Sequence, residues 1–131
     1  MVPKSKRGVP KLEVLDKSRE LVAFTMRICS NEKNFPKRYR WCMTQKIIDS
    51  ALNISNYVEM ANCVYVVEHE EYLIRKNYQL RALAETYALY NMIEISKAVF
   101  GLETSKAVHW SGMVVKVQTL IRNWKKSDKV V

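Results

Sequence analysis

The run Lys33-Asn34-Phe35-Pro36-Lys37-Arg38-Tyr39-Arg40-Trp41 holds the most pointed chemistry in the chain. Lys33, Lys37, Arg38 and Arg40 alternate with Phe35, Tyr39 and Trp41, and after Glu32 no acid follows until Asp49. An arginine fork matches phosphate oxygens two at a time, and an aromatic face accepts a base or a guanidinium group. The run falls at a loop and a helix start, where free backbone N–H groups also favour anions. This pattern points to a polyanion. The competing role for its aromatic residues is mechanical, with Phe35 and Trp41 as staples at the helix start and the cations solvated. Arg75, Arg81 and Arg122 are weaker candidates for nucleic-acid contact, on charge alone.

Catalytic chemistry has little to work with. The glycines are isolated, so no phosphate-cradling loop is present. There is no His-Glu-x-x-His, and neither His69 nor His109 follows a Glu by three residues, as a di-iron bundle needs. The three cysteines, Cys29, Cys42 and Cys63, are odd in number and form no Cys-x-x-Cys. They read as buried thiols in a reducing compartment, without a disulfide framework or a zinc site. No catalytic residue, metal or cofactor is expected. The start is basic but has no apolar stretch behind it, unlike a secretory signal. No apolar run nears the roughly 20 residues that cross a bilayer. A cytoplasmic protein with no membrane contact is expected.

The elements that position these residues follow from composition and periodicity. A chain of 131 residues fits one domain, and only 3 Gly and 3 Pro favour a few long helices over many turns. A net charge of +9 favours acidic partners. Residues 1–11, with Lys4, Lys6, Arg7 and Lys11 and no acid, suggest a short flexible basic arm. A first helix is predicted from near Leu12 to Ser30, with Leu21, Phe24 and Ile28 on its apolar face. A second begins at or just after Pro36. Met43, Ile47, Ala51, Ile54, Val58, Ala61 and Tyr65 repeat along it in steps of four and three, the rhythm of a bundle helix. The run Cys63-Val64-Tyr65-Val66-Val67 is taken as its end. A third spans His69 to Phe100, with Leu73, Leu80, Leu83, Tyr87 and Tyr90 marking its face and Ile93 and Val99 extending it. Gly101 caps it, and a fourth helix carries Trp110, Met113, Val117, Leu120 and Trp124. Trp124 continues that register, so it reads as a plug at the bundle end and not as a base-stacking ring.

The expected fold is all-α: an antiparallel up-down four-helix bundle over residues 12–126, with the arm before it and a tail at 127–131. In that topology the basic run lies near Lys97 and Lys106. The arm and the lysines Lys125, Lys126 and Lys129 share the other end, which puts positive charge at both ends. Apolar positions beyond one core stripe, with Ile48, Leu52, Leu89 and Met92 as candidates, call for a symmetric homo-oligomer.

The run Phe35-Pro36-Lys37-Arg38-Tyr39-Arg40, followed by Gln45, Ile48, Ala51 and Ile54, resembles a known family. It is the four-helix-bundle family that joins proteins encoded in intervening sequences of bacterial 23S rRNA genes to the accessory variability determinants of diversity-generating retroelements. Trp124, within Leu120-Ile121-Arg122-Asn123-Trp124-Lys125, looks like the tryptophan near the end of the accessory proteins. Arg38-Tyr39-Arg40 and the long third helix are closer to the retroelement branch. The resemblance spans about Leu12 to Lys126. It implies a basic homopentamer that binds RNA or DNA, partners a reverse transcriptase and supports mutagenic cDNA synthesis without a catalytic site of its own. By position, Lys37, Arg38 and Arg40 match the basic residues of the motif. Trp41-Cys42-Met43-Thr44 stands where relatives often have a glycine-containing turn of helix. The alternative, from the rRNA branch, is a protein-interaction adaptor without direct nucleic-acid recognition.

Overall fold

The computed structural model describes residues 4–131, with side chains from Glu13 onward. Its four helices are α1 (Lys4–Ser30), α2 (Gln45–Cys63), α3 (His69–Phe100) and α4 (Thr104–Ser127). No strand occurs among the described residues. α1 lies against α2 and α4, and α3 lies against the same two helices. Short connections between sequence neighbours make the neighbours antiparallel, so the chain forms the expected up-down four-helix bundle. The last residue of α1 is the expected one, whereas its first, Lys4, precedes the start expected near Leu12. The arm expected over residues 1–11 lies outside the residues whose side chains are described.

Three helices bury the faces their periodicity marks. On α2, Ile47, Ala51, Ile54, Val58 and Ala61 are no more than 1% exposed. Met43 is half-buried against the core, and Tyr65 is outside it. On α1, Val14, Ser18, Leu21, Thr25 and Ile28 form the inner seam, with Phe24 partly buried beside it. Its polar members are satisfied in place: Ser18 Oγ donates to the Leu15 carbonyl at 2.8 Å, and Thr25 Oγ1 accepts from Trp110 Nε1 at 3.0 Å. On α4, Trp110, Val117 and Trp124 are buried, joined by Val114 and Ile121, while Met113 and Leu120 pack at the edge. Trp124 is the plug its register suggests, 2% exposed.

α3 turns a different face inward from the one its sequence advertises. Arg75, Gln79, Ala82, Thr86, Leu89, Ile93 and Ser96 make its buried seam, in steps of four and three. Leu73, Leu80, Tyr87, Tyr90 and Val99 are exposed, and only Ile93 of the expected face is fully buried. Trp110 and Trp124 take up much of a densely filled interior, which favours small side chains such as Ala82, Thr86 and Ser96 on a neighbouring helix. The hydroxyls of Thr86 and Ser96 are bonded back to the carbonyls of Leu83 and Met92, which removes the penalty of burying them. Leu89 therefore belongs to the core and not to a second surface; Ile48 and Met92 also pack against the core. The exposed apolar stripe is instead on α3, with Val108 and Val115 on α4 also open.

The helix ends correct the reading of one segment. α2 stops at Cys63, and Val64 is extended (φ −74°, ψ 119°). Val64 to Val67 thus form the α2–α3 connection and not a last helical turn, because the guanidinium of Arg75 takes the carbonyls of Ala61 and Val64 that would mark the frayed helix end. Glu68 and Glu71 close a reciprocal capping box on α3. At its other end Gly101 adopts the left-handed conformation, φ 66°. A Cβ there meets nothing within 4 Å, so the cost of Gly101→Ala is backbone strain alone. It should lower thermal stability by about 1–2 kcal/mol; a melting temperature unchanged from wild type would contradict this.

Candidate nucleic-acid interface

The basic run is held by a pinned loop and an irregular helix start. Asn31 Oδ1 accepts from the Lys33 N–H at 3.0 Å, and the Asn31 carbonyl accepts from Asn34 and Phe35, both at 3.0 Å. Phe35 is 2% exposed, edge-on to Phe100 at 5.5 Å and to Trp110 at 6.0 Å. Pro36 is extended and cannot itself continue a helix from Phe35. The chain then winds tightly as a 3₁₀ turn over Lys37–Tyr39 and widely as a π turn over Arg40–Thr44 before α2 begins. Helical winding thus begins just after Pro36, at Lys37, while regular α winding begins only at Gln45.

The wide turn bears on chemistry. A π turn inserts an extra residue and displaces side chains from the regular register, which is why such turns recur at functional positions. Here it leaves Arg40, Trp41 and Cys42 exposed in succession. Trp41 is 77% exposed, so of the two possible staples only Phe35 acts as one. Tyr39 is half-buried on Phe100 at 5.2 Å, and the Arg38 guanidinium lies over the Tyr39 ring at 5.0 Å. That stacking presents Arg38 outward in a defined position.

Lys33, Lys37, Arg38 and Arg40 are all exposed, and none forms an ion pair among the described residues. Arg27 and Lys106 flank the loop, lining a shallow cavity with Phe24, Asn31 and Asn34. Lys97, at the same end, is engaged with Glu94 at 3.6 Å. The remaining candidates lie elsewhere. Arg122 stacks over Tyr87 at 5.5 Å, late in α4, and Arg81 is exposed near the middle of α3.

Arg75 is structural. It is buried, donates through Nε to the Ala61 carbonyl at 3.1 Å and through the guanidinium to Val64, and pairs with Asp128 at 3.7 Å. Gln79 donates to the same carboxylate at 3.0 Å. A guanidinium committed in this way cannot meet a phosphate. The bundle end it fastens carries Glu68, Glu70, Glu71 and Asp128 as well as Lys125, Lys126 and Lys129, so it is mixed in charge. At the opposite end, Lys33, Lys37, Arg38 and Arg40 form a run with no acid between them.

The cysteines divide. Cys29 is buried, and burial pushes its thiol up to about 12. Cys42 and Cys63 are exposed, against the expectation of three core thiols. The Cys63 thiol donates to Glu59 Oε1 at 3.0 Å, and this hydrogen bond, with slight desolvation and the negative charge of Glu59, raises its pKa. Since thiolate is the reactive form, alkylation near neutral pH should label Cys42 first, Cys63 more slowly and Cys29 only on unfolding. Mass-mapped labelling in which Cys29 leads would contradict the packing described. Among the described residues no group of three or more His, Cys, Asp and Glu is placed to hold a metal ion, and no helix is long and apolar enough to cross a membrane.

No known protein family, curated protein or solved structure matches this chain.

Proposed function

We propose that this protein is a non-catalytic nucleic-acid-binding subunit, meeting RNA or DNA through the bundle end formed by the α1–α2 loop and the π turn. One observation carries the reading: four exposed cations, none in an ion pair among the described residues, lead up to an exposed tryptophan on a segment pinned to the core by Phe35. Rigid presentation reduces the ordering cost of binding, lysine and arginine supply the phosphate contacts, and Trp41 supplies a face on which a base stacks. A duplex hides its base faces, so the arrangement favours single strands.

The resemblance at Phe35-Pro36-Lys37-Arg38-Tyr39-Arg40 extends this proposal to a setting. The protein would serve as the accessory subunit of a reverse transcriptase in a diversity-generating retroelement, bound to template RNA or cDNA as a homopentamer. The open stripe of Leu73, Leu80, Tyr87 and Tyr90 supports self-association, because an apolar surface at helical spacing gains by being covered.

The test is a fluorescence-anisotropy titration of a labelled single strand at low and at physiological salt. Binding that weakens steeply with salt, through loss of counterion release, is the expected result. No binding at low salt would overturn the proposal and leave the charge to face an acidic protein surface.

A further inference from the structure

A second feature adjoins the basic run and has a different chemical character. A cavity of about 280 Å³ lies between the end of α1 and the π turn. Met26, Phe35, Pro36 and Ile48 give it apolar walls, and Lys37 and Arg40 line it from the cationic side. Ser30, Glu32, Thr44 and Gln45 bring polar groups to the same space. Thr44 is 7% exposed, and its hydroxyl has no hydrogen-bond partner among the described residues. A buried polar group without a partner is uncommon and costly, so each one asks for a reason. The Gln45 amide nitrogen is used by Asp49 at 2.9 Å, which leaves its carbonyl oxygen as an acceptor.

A phosphate alone does not explain these walls. Phosphate sites are polar throughout, whereas apolar walls with a few convergent polar groups describe a site for a flat, mostly apolar molecule with a polar edge. The volume lies just below the range of about 300–1,000 Å³ usual for drug-sized ligands, which suits one planar ring system and not two. Cations at the cavity would meet the phosphate attached to such a ring. Glu32 and the Gln45 carbonyl accept hydrogen bonds, as an exocyclic amino group requires, and the Thr44 hydroxyl, itself closed off from solvent, can donate to a ring nitrogen once the side chain turns toward the cavity.

We infer that this cavity receives one unstacked nucleobase of a single strand that bears an exocyclic amine (cytosine, adenine or guanine), with its phosphate on Lys37 and Arg40. The inference rests on the nucleic-acid reading above and adds to it a base preference. Trp41 then stacks a neighbouring base outside the cavity. Thymine and uracil, which present a carbonyl where cytosine presents an amine, place an acceptor against the acceptors of Glu32 and Gln45 and are disfavoured.

The experiment compares labelled oligo-dC and oligo-dT of equal length, at mildly alkaline pH so that cytosine stays neutral. The protein is used as wild type, Ser30→Tyr and Thr44→Val. Ser30 is exposed at the end of α1, so a tyrosine there can fill the mouth of the cavity without entering the core. Thr44→Val keeps the side-chain shape and removes only the unpartnered hydroxyl. Wild type is expected to bind oligo-dC about tenfold more tightly than oligo-dT. Ser30→Tyr is expected to erase that preference while leaving salt-sensitive oligo-dT binding unchanged. Thr44→Val should reduce the preference with no loss of thermal stability, which keeps the test decisive if the tyrosine variant folds poorly. Equal affinity of wild type for the two strands, or a preference that survives both substitutions, would overturn the cavity assignment while the basic surface stands. Wild type that binds neither strand would overturn the nucleic-acid reading and the cavity assignment with it.

Discussion

Arg75→Ala should lower the unfolding free energy by about 3–5 kcal/mol, the cost of breaking a buried ion pair by removing one partner. Three features set this expectation. The guanidinium is the donor for the Ala61 and Val64 carbonyls at the end of α2. It faces Asp128, which is 13% exposed and would be left with only Gln79 as a side-chain partner. It also ties three elements together: the α2–α3 connection, α3 and the residues just past α4. Arg75→Lys should recover part of the loss, since an ammonium keeps the charge but lacks the planar fork that reaches several acceptors at once. Asp128→Asn should cost less than Arg75→Ala, because an amide still accepts from Gln79 and Arg75. Urea unfolding followed by circular dichroism measures all three, with an unchanged slope showing that stability and not unfolded-state compactness has moved. Wild-type stability of Arg75→Ala together with weakened nucleic-acid binding would return Arg75 to the binding surface.

The second large effect concerns binding. Combining Lys37→Glu, Arg38→Glu and Arg40→Glu should weaken single-strand affinity at low salt by about 100-fold or more, as three attractive charges become three repulsive ones. The neutral counterpart, with alanine at the three positions, should flatten the plot of log affinity against log salt by about 2 units, near 0.7 for each phosphate no longer neutralised on a single strand. Stability should change little, because the three side chains are exposed and unpaired. Replacing Arg38 also removes its stacking over Tyr39, worth about 0.5–1 kcal/mol at an exposed site. Arg81→Glu with Arg122→Glu is the control: the same type of charge reversal, at two positions instead of three and away from the loop. A control that weakens binding as much as the triple variant would mean that net charge and not this surface governs affinity.

Much of the bundle was legible because most of its core positions are apolar. α2 and α4 carry Ile, Val, Ala, Leu and Trp at steps of three and four, so periodicity identified both the helix and its inner face. α3 was legible as a helix but not in its orientation. Two stripes run along it: Leu73, Leu80 and Tyr87 in steps of seven, and Ala82, Leu89 and Ile93 in steps of seven and four. The first has the larger side chains and is the open one. The second is interrupted by Arg75, Gln79, Thr86 and Ser96, whose burial depends on partners elsewhere in the bundle that no local window contains. A repeat of four and three from Arg75 through Ser96 was the available signal, hidden because polar residues supply four of its seven positions.

The candidate site was legible in its residues and not in its shape. Alternation of cations with aromatic residues located Lys33 to Trp41, but the same aromatics served equally well as staples. Packing separates them: Phe35 lies against Phe100 and Trp110, while Trp41 is turned outward by the π turn. Nothing in Arg40-Trp41-Cys42-Met43-Thr44 announces wide winding, since no proline or glycine interrupts it. The cavity beside it could not be foreseen at all, because it is built from α1, the loop and the start of α2 together.

The most direct test of the central claim uses Trp41 as its own reporter. Trp110 and Trp124 are 0% and 2% exposed, so acrylamide quenching in the free protein is expected to report Trp41. Single-stranded nucleic acid should quench that emission or shield it from acrylamide as bases stack on the ring, and salt should reverse the change. Trp41→Phe should fold, lose the signal and bind more weakly. Saturating binding, verified by anisotropy, that leaves Trp41 emission and accessibility unchanged would place the nucleic acid elsewhere on the bundle and contradict the account.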